Sequence, residues 1–329
     1  MSDHLNLPNK SAIKYYDKKG DLSKENKNYA EAIEFYMKVI EIDPCSTDVY
    51  IKAGICLKSI QKFNEALDMY NKALISAKDN NTMQKYIVLS NKAATLRLLN
   101  RHREALHAYD MAISLNQDNP VILNDKANTF LEMKEYEAAI LSYDKAIFIH
   151  SLYTESWINK GICLRNLKRY EQAFECFERS IEIVPNNLTA HLNKALTYHM
   201  AKQFHAALTT YNKCIQISPN NCEVFNSKGI TWFELKQYEK AIECYDKSIQ
   251  INSNNPITYY NKGLALNQMK KFQEALLVLD EAISLKENYA DAYLAKGYSL
   301  KFLHRYSDAL ACFKKANQIN PNLIIEEFY

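Results

Sequence analysis

The sequence predicts an all-α protein built from about nine copies of one helix-turn-helix unit, and three observations carry that prediction. All six glycines, Gly20, Gly54, Gly161, Gly229, Gly263 and Gly297, fall at one place in a repeat of 34 residues once a single five-residue insertion is allowed. Twelve residues further on, every copy has an alanine: Ala32, Ala66, Ala105, Ala139, Ala173, Ala207, Ala241, Ala275 and Ala309. Around both columns the large apolar side chains recur three or four residues apart, the period of one helix face.

Taken in order, the units begin near residues 13, 47, 86, 120, 154, 188, 222, 256 and 290. In the first, Tyr16 and Gly20 mark one helix, Ala32 and Tyr36 the next, and Pro44 follows it. The second repeats this with Tyr50, Gly54, Ala66 and Tyr70. The insertion, about residues 75–85 (within SAKDNNTMQKY), separates it from the third and is expected to extend a helix or loop rather than form a hinge. The third and fourth units replace glycine by Ala93 and Ala127, and the sixth by Ala195, so the column requires small size and not an unusual backbone angle. Pro120 and Pro256 open the fourth and eighth units, where a missing N–H costs little. In the fifth, Trp157, Gly161 and Leu164 are followed by Ala173, Phe177 and Ile181, one stripe on each of two amphipathic helices. The sixth puts His191 where the others have a large apolar residue, and the seventh and eighth return to Phe225 with Tyr245 and Tyr259 with Leu279. The ninth has Tyr293 and Phe313, but Asn317 stands at position 28, which is Ile or Leu in the other eight, as suits a terminal helix facing water.

A 34-residue helical hairpin with an aromatic residue, Gly or Ala four residues later, and then Ala-x3-[Tyr/Phe] resembles the tetratricopeptide repeat. The resemblance covers about residues 13–323, leaving a polar extension at 1–12 and a short tail at 324–329. It implies a right-handed superhelical solenoid forming one elongated domain, with a concave groove lined by the first helix of each unit. Two departures recur. Position 7, usually apolar in that family, is Lys19, Lys92, Lys126, Lys160, Lys194, Lys228, Lys262 and Lys296, where the stem is expected to pack and the ammonium to reach water. The family's proline at position 32 is kept only as Pro44, Pro185, Pro219 and Pro321.

Composition narrows the function. A formal charge of +3 over 329 residues, with lysines spread evenly, provides no nucleic-acid footprint. Met1–Lys10 is polar, without the apolar core of a signal peptide, and no run is long enough to span a bilayer. Equivalent cysteines such as Cys176, Cys244 and Cys312 sit in separate units, beyond disulfide reach, so the eight cysteines are expected as free thiols in a reducing cytoplasmic setting. No CxxC pair occurs, and His191, His199 and His205 lack a placed carboxylate or cysteine, so no metal is expected. With no two glycines closer than one repeat, phosphate-binding loops and nucleophile elbows are excluded. No cofactor and no catalysis are expected.

Function then falls to the groove, which the resemblance lines with positions 2, 5, 6, 9, 12 and 13. Position 6 holds Asn91, Asn159, Asn193 and Asn261, with Asp125 and Ser227 between them. An amide offers donors and an acceptor and can pair with the backbone of an extended peptide whatever its side chains. The column resembles the asparagine ladder of O-linked N-acetylglucosamine transferases. Apolar groove candidates cluster toward the C-terminal half, among them Met200, Phe233, Tyr260, Tyr298 and Phe302, and point to repeats six to nine as the principal site. The carboxylate clamp of co-chaperones in the family is not matched: after Asn124, Asn128 and Asn159, Thr189 and Asn193 stand where two basic residues belong. The tail LIIEEFY loosely resembles peptides bound by microtubule-associated glycine-rich domains. The expected function is a non-catalytic scaffold or adaptor that takes an extended peptide or partner helix in its groove. The alternatives are a substrate-targeting subunit of an enzyme encoded elsewhere and a structural part of a large ciliary or transport assembly.

Overall fold

The computed structural model describes residues 7–77 and 81–322, so the C-terminal tail, the first six residues and part of the insertion lie outside the described residues. Among those described there are eighteen α-helices and no strand. The chain divides after Leu167 into two units. The first holds α1 (Leu7–Glu25), α2 (Tyr29–Ile42), α3 (Thr47–Ser59), α4 (Phe63–Ser76), α5 (Thr82–Leu98), α6 (His102–Leu115), α7 (Pro120–Glu132), α8 (Tyr136–Ile149) and α9 (Thr154–Asn166). The second holds α10 (Tyr170–Ile183), α11 (Leu188–Met200), α12 (Phe204–Ile217), α13 (Cys222–Glu234), α14 (Tyr238–Ile251), α15 (Pro256–Gln268), α16 (Phe272–Leu285), α17 (Ala290–Phe302) and α18 (Tyr306–Ile319).

Within the first unit α1 pairs with α2, α3 with α4, α5 with α6 and α7 with α8; within the second α11 pairs with α12, α13 with α14, α15 with α16 and α17 with α18. Each second helix also packs on the first helix of the next hairpin. Successive first helices touch as well, α3 to α5 to α7 to α9 and α11 to α13 to α15 to α17, so each unit has a face made of first helices alone.

The two small-residue columns have distinct packing jobs. Every alanine of the second column is fully buried. Against the first column lies the ring at position 24, of which Tyr36, Tyr70, Tyr109, Tyr143 and Tyr211 are wholly enclosed. A Cβ on Gly54 would stand 2.5 Å from Cε1 of Tyr70, and one on Gly229 2.6 Å from Cε1 of Tyr245. No glycine has positive φ, so the column answers to close approach.

Local chemistry fixes where helices start and stop. The side chains of Asn81, Asn119, Asn187, Asn221 and Asn255 each accept a backbone N–H in the first turn of α5, α7, α11, α13 and α15. Pro120 and Pro256 occupy the first turn of α7 and α15. α5 has 17 residues where α3, α7 and α9 have 13, so the insertion lengthens this helix at its N-terminus. α1 begins at Leu7, within the segment read as a polar extension.

Every hairpin turns through a left-handed residue, and none of the nine is glycine: Lys27, Gln61, Asn100, Lys134, Lys168, Lys202, Lys236, Lys270 and His304 have φ between 58 and 63°. The N–H of the following residue returns to the carbonyl five positions earlier, as from Glu135 to Phe130 at 2.9 Å, which satisfies an otherwise orphaned carbonyl.

Six of the eight position-7 lysines place the ammonium on a partner as well as toward water. Lys126 pairs with Asp110 at 2.5 Å, Lys160 with Asp144 at 2.5 Å, Lys194 with Glu178 at 3.0 Å and Lys262 with Asp246 at 2.6 Å, and Lys296 pairs with Asp280. Lys228 donates to Asn212 at 2.8 Å. Each contact joins a first helix to the second helix of the preceding hairpin. The reason is reach: the long stem carries the charge past the apolar contact to a carboxylate sixteen residues back, on the rim.

Candidate functional site

In the first unit the first-helix face is laced with polar contacts. Lys52 of α3 pairs with Asp17 and Asp21 of α1 at 2.7 and 2.9 Å. Lys58 of α3 donates to Oδ1 of Asn91 on α5 at 3.0 Å, and Nδ2 of Asn91 donates to the Ile87 carbonyl at 3.0 Å. Arg97, also on α5, pairs with Glu132 of α7 at 2.5 Å. Asn159 of α9 donates to Oδ1 of Asn128 on α7 at 3.0 Å, and that oxygen also accepts from the Tyr143 hydroxyl at 2.6 Å. Asn124 is buried and accepts from Ser156 at 2.9 Å.

Asp125 stands between Asn91 and Asn159 in this column. Its carboxylate accepts no hydrogen bond among the described residues; only its backbone carbonyl does, from Thr129 at 3.0 Å. Burial holds its carboxyl above the ordinary carboxylate range against the opposing pull of Arg97 and Lys58. Burial likewise draws the Lys58 ammonium below its usual value.

In the second unit Asn193 of α11 donates to the Thr189 carbonyl at 2.9 Å, and Asn261 of α15 donates to Oδ1 of Asn226 on α13 at 3.2 Å. Every asparagine of the column therefore spends at least one amide hydrogen inside the protein. Asn91 and Asn159 are separated by α7 and Asn193 and Asn261 by α13, so the column is a row of spaced amides and not a contiguous cluster.

The apolar candidates of the second unit divide by exposure. Met200 at the end of α11 is 46% exposed, and Phe302 at the end of α17 is 60% exposed while its ring stacks on Phe272 at 4.9 Å. Phe233, Tyr260 and Tyr298 are half-buried, with rings 5.4 Å from Tyr238, 5.2 Å from Tyr289 and 5.2 Å from Phe313. These three belong largely to the packing between helices. His191 bonds the Pro185 carbonyl at 2.9 Å and His199 the Thr231 hydroxyl at 3.0 Å. Among the described residues no group of three or more potential metal ligands forms.

The charged set around Asp125 was missed by sequence reasoning, although its signal was present: position 12 is Lys58, Arg97 and Arg165 in the second, third and fifth hairpins. A column scan for identical residues passes over a column that shares only charge.

Burial pushes the thiols of Cys214 and Cys244 up to about 11, which makes them poor nucleophiles. No described helix is long and apolar enough to cross a membrane.

Family models described as tetratricopeptide repeat match residues 13–44, 152–220, 257–289 and 290–323, and one described as TPR repeat matches 229–270. A comparison with curated proteins gives no significant sequence match. Among solved structures, a tetratricopeptide repeat protein from Parabacteroides merdae is similar over 78% of this chain and 99% of its own, with 17% identity and a TM-score of 0.62. YrrB, described as a TPR protein with an unusual peptide-binding site, matches 55% of this chain and 93% of its own at 20% identity and a TM-score of 0.45. MamA matches 49% and 94% at 22% identity and a TM-score of 0.46.

Proposed function

We propose that this chain, which belongs to the tetratricopeptide repeat family, is a non-catalytic interaction scaffold that takes an extended peptide or a partner helix on its first-helix face. The observation that carries the reading is Phe302, 60% exposed, stacked flat on Phe272 and the last residue of its first helix, as the exposed Met200 is of α11. Open apolar side chains are where a partner gains; Phe302 and Met200 offer them on first helices, while Phe148 of α8, 91% exposed, offers one on a second helix. The amides of Asn159 in the first unit and of Asn193 and Asn261 in the second are the groups proposed to meet a peptide main chain, each on the first helices of its own unit. A reducing, intracellular setting belongs to the proposal, since all eight cysteines are free thiols.

Affinity purification with mass spectrometry tests it, comparing the wild type with a variant in which Asn159, Asn193 and Asn261 are alanine and with Phe302→Asp. Partners lost together from both variants support recognition on this face. Partners retained by both move the site elsewhere on the molecule.

A further inference from the structure

We infer that the first unit carries, on its second helices, a face for a second copy of this chain. The copy docks across a two-fold axis, with Phe148 of each seated in the groove between α6 and α8 of the other. This face is separate from the first-helix face proposed above for a peptide. Phe148 and Leu141 lie seven residues apart on α8, two turns along one side of the helix, and are 91% and 66% exposed. The site of Phe148 is Glu, Gln or Ser in seven of the other eight hairpins, and that of Leu141 is polar in six of them. Only the fourth hairpin has a large apolar residue at both. An outward apolar pair with so little packing in its own chain marks a contact with another molecule.

Both residues border an open groove of about 850 Å³, lined also by Ile113 and Ser114 of α6, Leu123 of α7 and Ile149 of α8. A patch that holds both a protruding ring and an apolar hollow can close on its own copy. An isologous contact uses one patch twice, so its requirements converge on one place. A peptide or helix laid along the array would instead meet the equivalent positions of successive hairpins, and on either side of Phe148 these are Ser114 and Glu182. Charge makes the same selection. Of the five charged side chains lining the groove, Asp110 pairs with Lys126 and Asp144 with Lys160, each at 2.5 Å. That leaves Asp118, after α6, and Lys145, on α8, both exposed and without an ion pair among the described residues. A second copy complements this arrangement twice, Asp118 to Lys145 and Lys145 to Asp118, and a partner of one charge sign does not. Thirteen residues line the groove, fewer than the roughly 20–30 a side of a tight complex. The dimer is therefore reversible, with a Kd of roughly 1–100 µM.

Sedimentation equilibrium of the full chain from about 1 to about 200 µM tests the proposal, with the weight-average mass expected to rise toward twice that of the monomer. Phe148→Glu introduces the residue native to this site in the first and fifth hairpins, so it is expected to fold as the wild type does and to weaken association about tenfold or more. The two charges give a sharper test. Asp118→Lys alone and Lys145→Glu alone should each sediment as monomers, because a two-fold contact then brings like charges together. Glutamate is native at the site of Lys145 in the eighth hairpin, as Glu281. An equimolar mixture of the two variants should dimerise, since each supplies the charge that the other lacks. A wild type that stays monomeric over this range, undiminished association of Phe148→Glu, or a mixture no more associated than its components overturns the two-fold contact. Each of these outcomes leaves the peptide-binding function standing.

Discussion

Asp125 makes the folded protein respond to pH in a direction opposite to most surface carboxylates. Burial raises its pKa in the folded state above the unfolded value, so the native protein holds the proton more tightly than the unfolded chain does. Ionised Asp125 therefore subtracts stability at neutral pH, and the loss is relieved as pH falls through the raised value. Asp125→Asn is expected to raise the urea midpoint at neutral pH, with the gain shrinking in acid; a variant less stable at neutral pH would contradict this. The left-handed turn residues make a second prediction at the same scale. A non-glycine residue in this conformation costs roughly 1–2 kcal/mol, and Lys134 is exposed with φ of 61°. Lys134→Gly should raise the midpoint by an amount corresponding to about 1 kcal/mol, less than the full cost because glycine also loses more entropy on folding. The position-7 ion pairs are expected to matter little: the Asp110 side chain is 59% exposed, so Lys126→Met should change stability by no more than about 1 kcal/mol.

Helices and their pairing follow from residues that a single sequence displays. Buried alanine beside a buried ring at position 24 can serve only a close helix contact, and Pro120 and Pro256 declare a helix start. Ala105→Leu tests this contact, since Ala105 is fully enclosed in α6; the variant should lose about 1–3 kcal/mol in a denaturation series. The six left-handed turns at lysine were not legible, because lysine carries no conformational signature and the expected marker, glycine, is spent on helix contacts instead. Lysine chemistry misled in another way. Its stem was read correctly as packing material, but the partner of its ammonium lies on the preceding hairpin, a contact that becomes visible only when two hairpins are docked. The asparagine column was legible as a column and not as a set of bonds. Asn159 and Asn261 each reach an asparagine of the neighbouring first helix, Asn128 and Asn226, and sequence spacing does not reveal which of an amide's hydrogens is already used.

At the scale of the whole molecule, the hairpin is one of two ways to count the repeating piece. The turn residues Lys134, Lys202, Lys236 and Lys270 are exposed and stand in the middle of each hairpin, where a protease cutting after lysine finds the same tip each time. Scission there leaves fragments made of the second helix of one hairpin and the first helix of the next. Such a fragment keeps its own seam: cutting at Lys236 and Lys270 leaves α14 with α15, joined by their packing and by Lys262 with Asp246. Brief trypsin treatment should give a ladder on a denaturing gel, while the nicked unit keeps its helical circular dichroism. Within each unit the packing runs on from hairpin to hairpin although the backbone is cut, and a unit's integrity is a property of the stack and not of the thread.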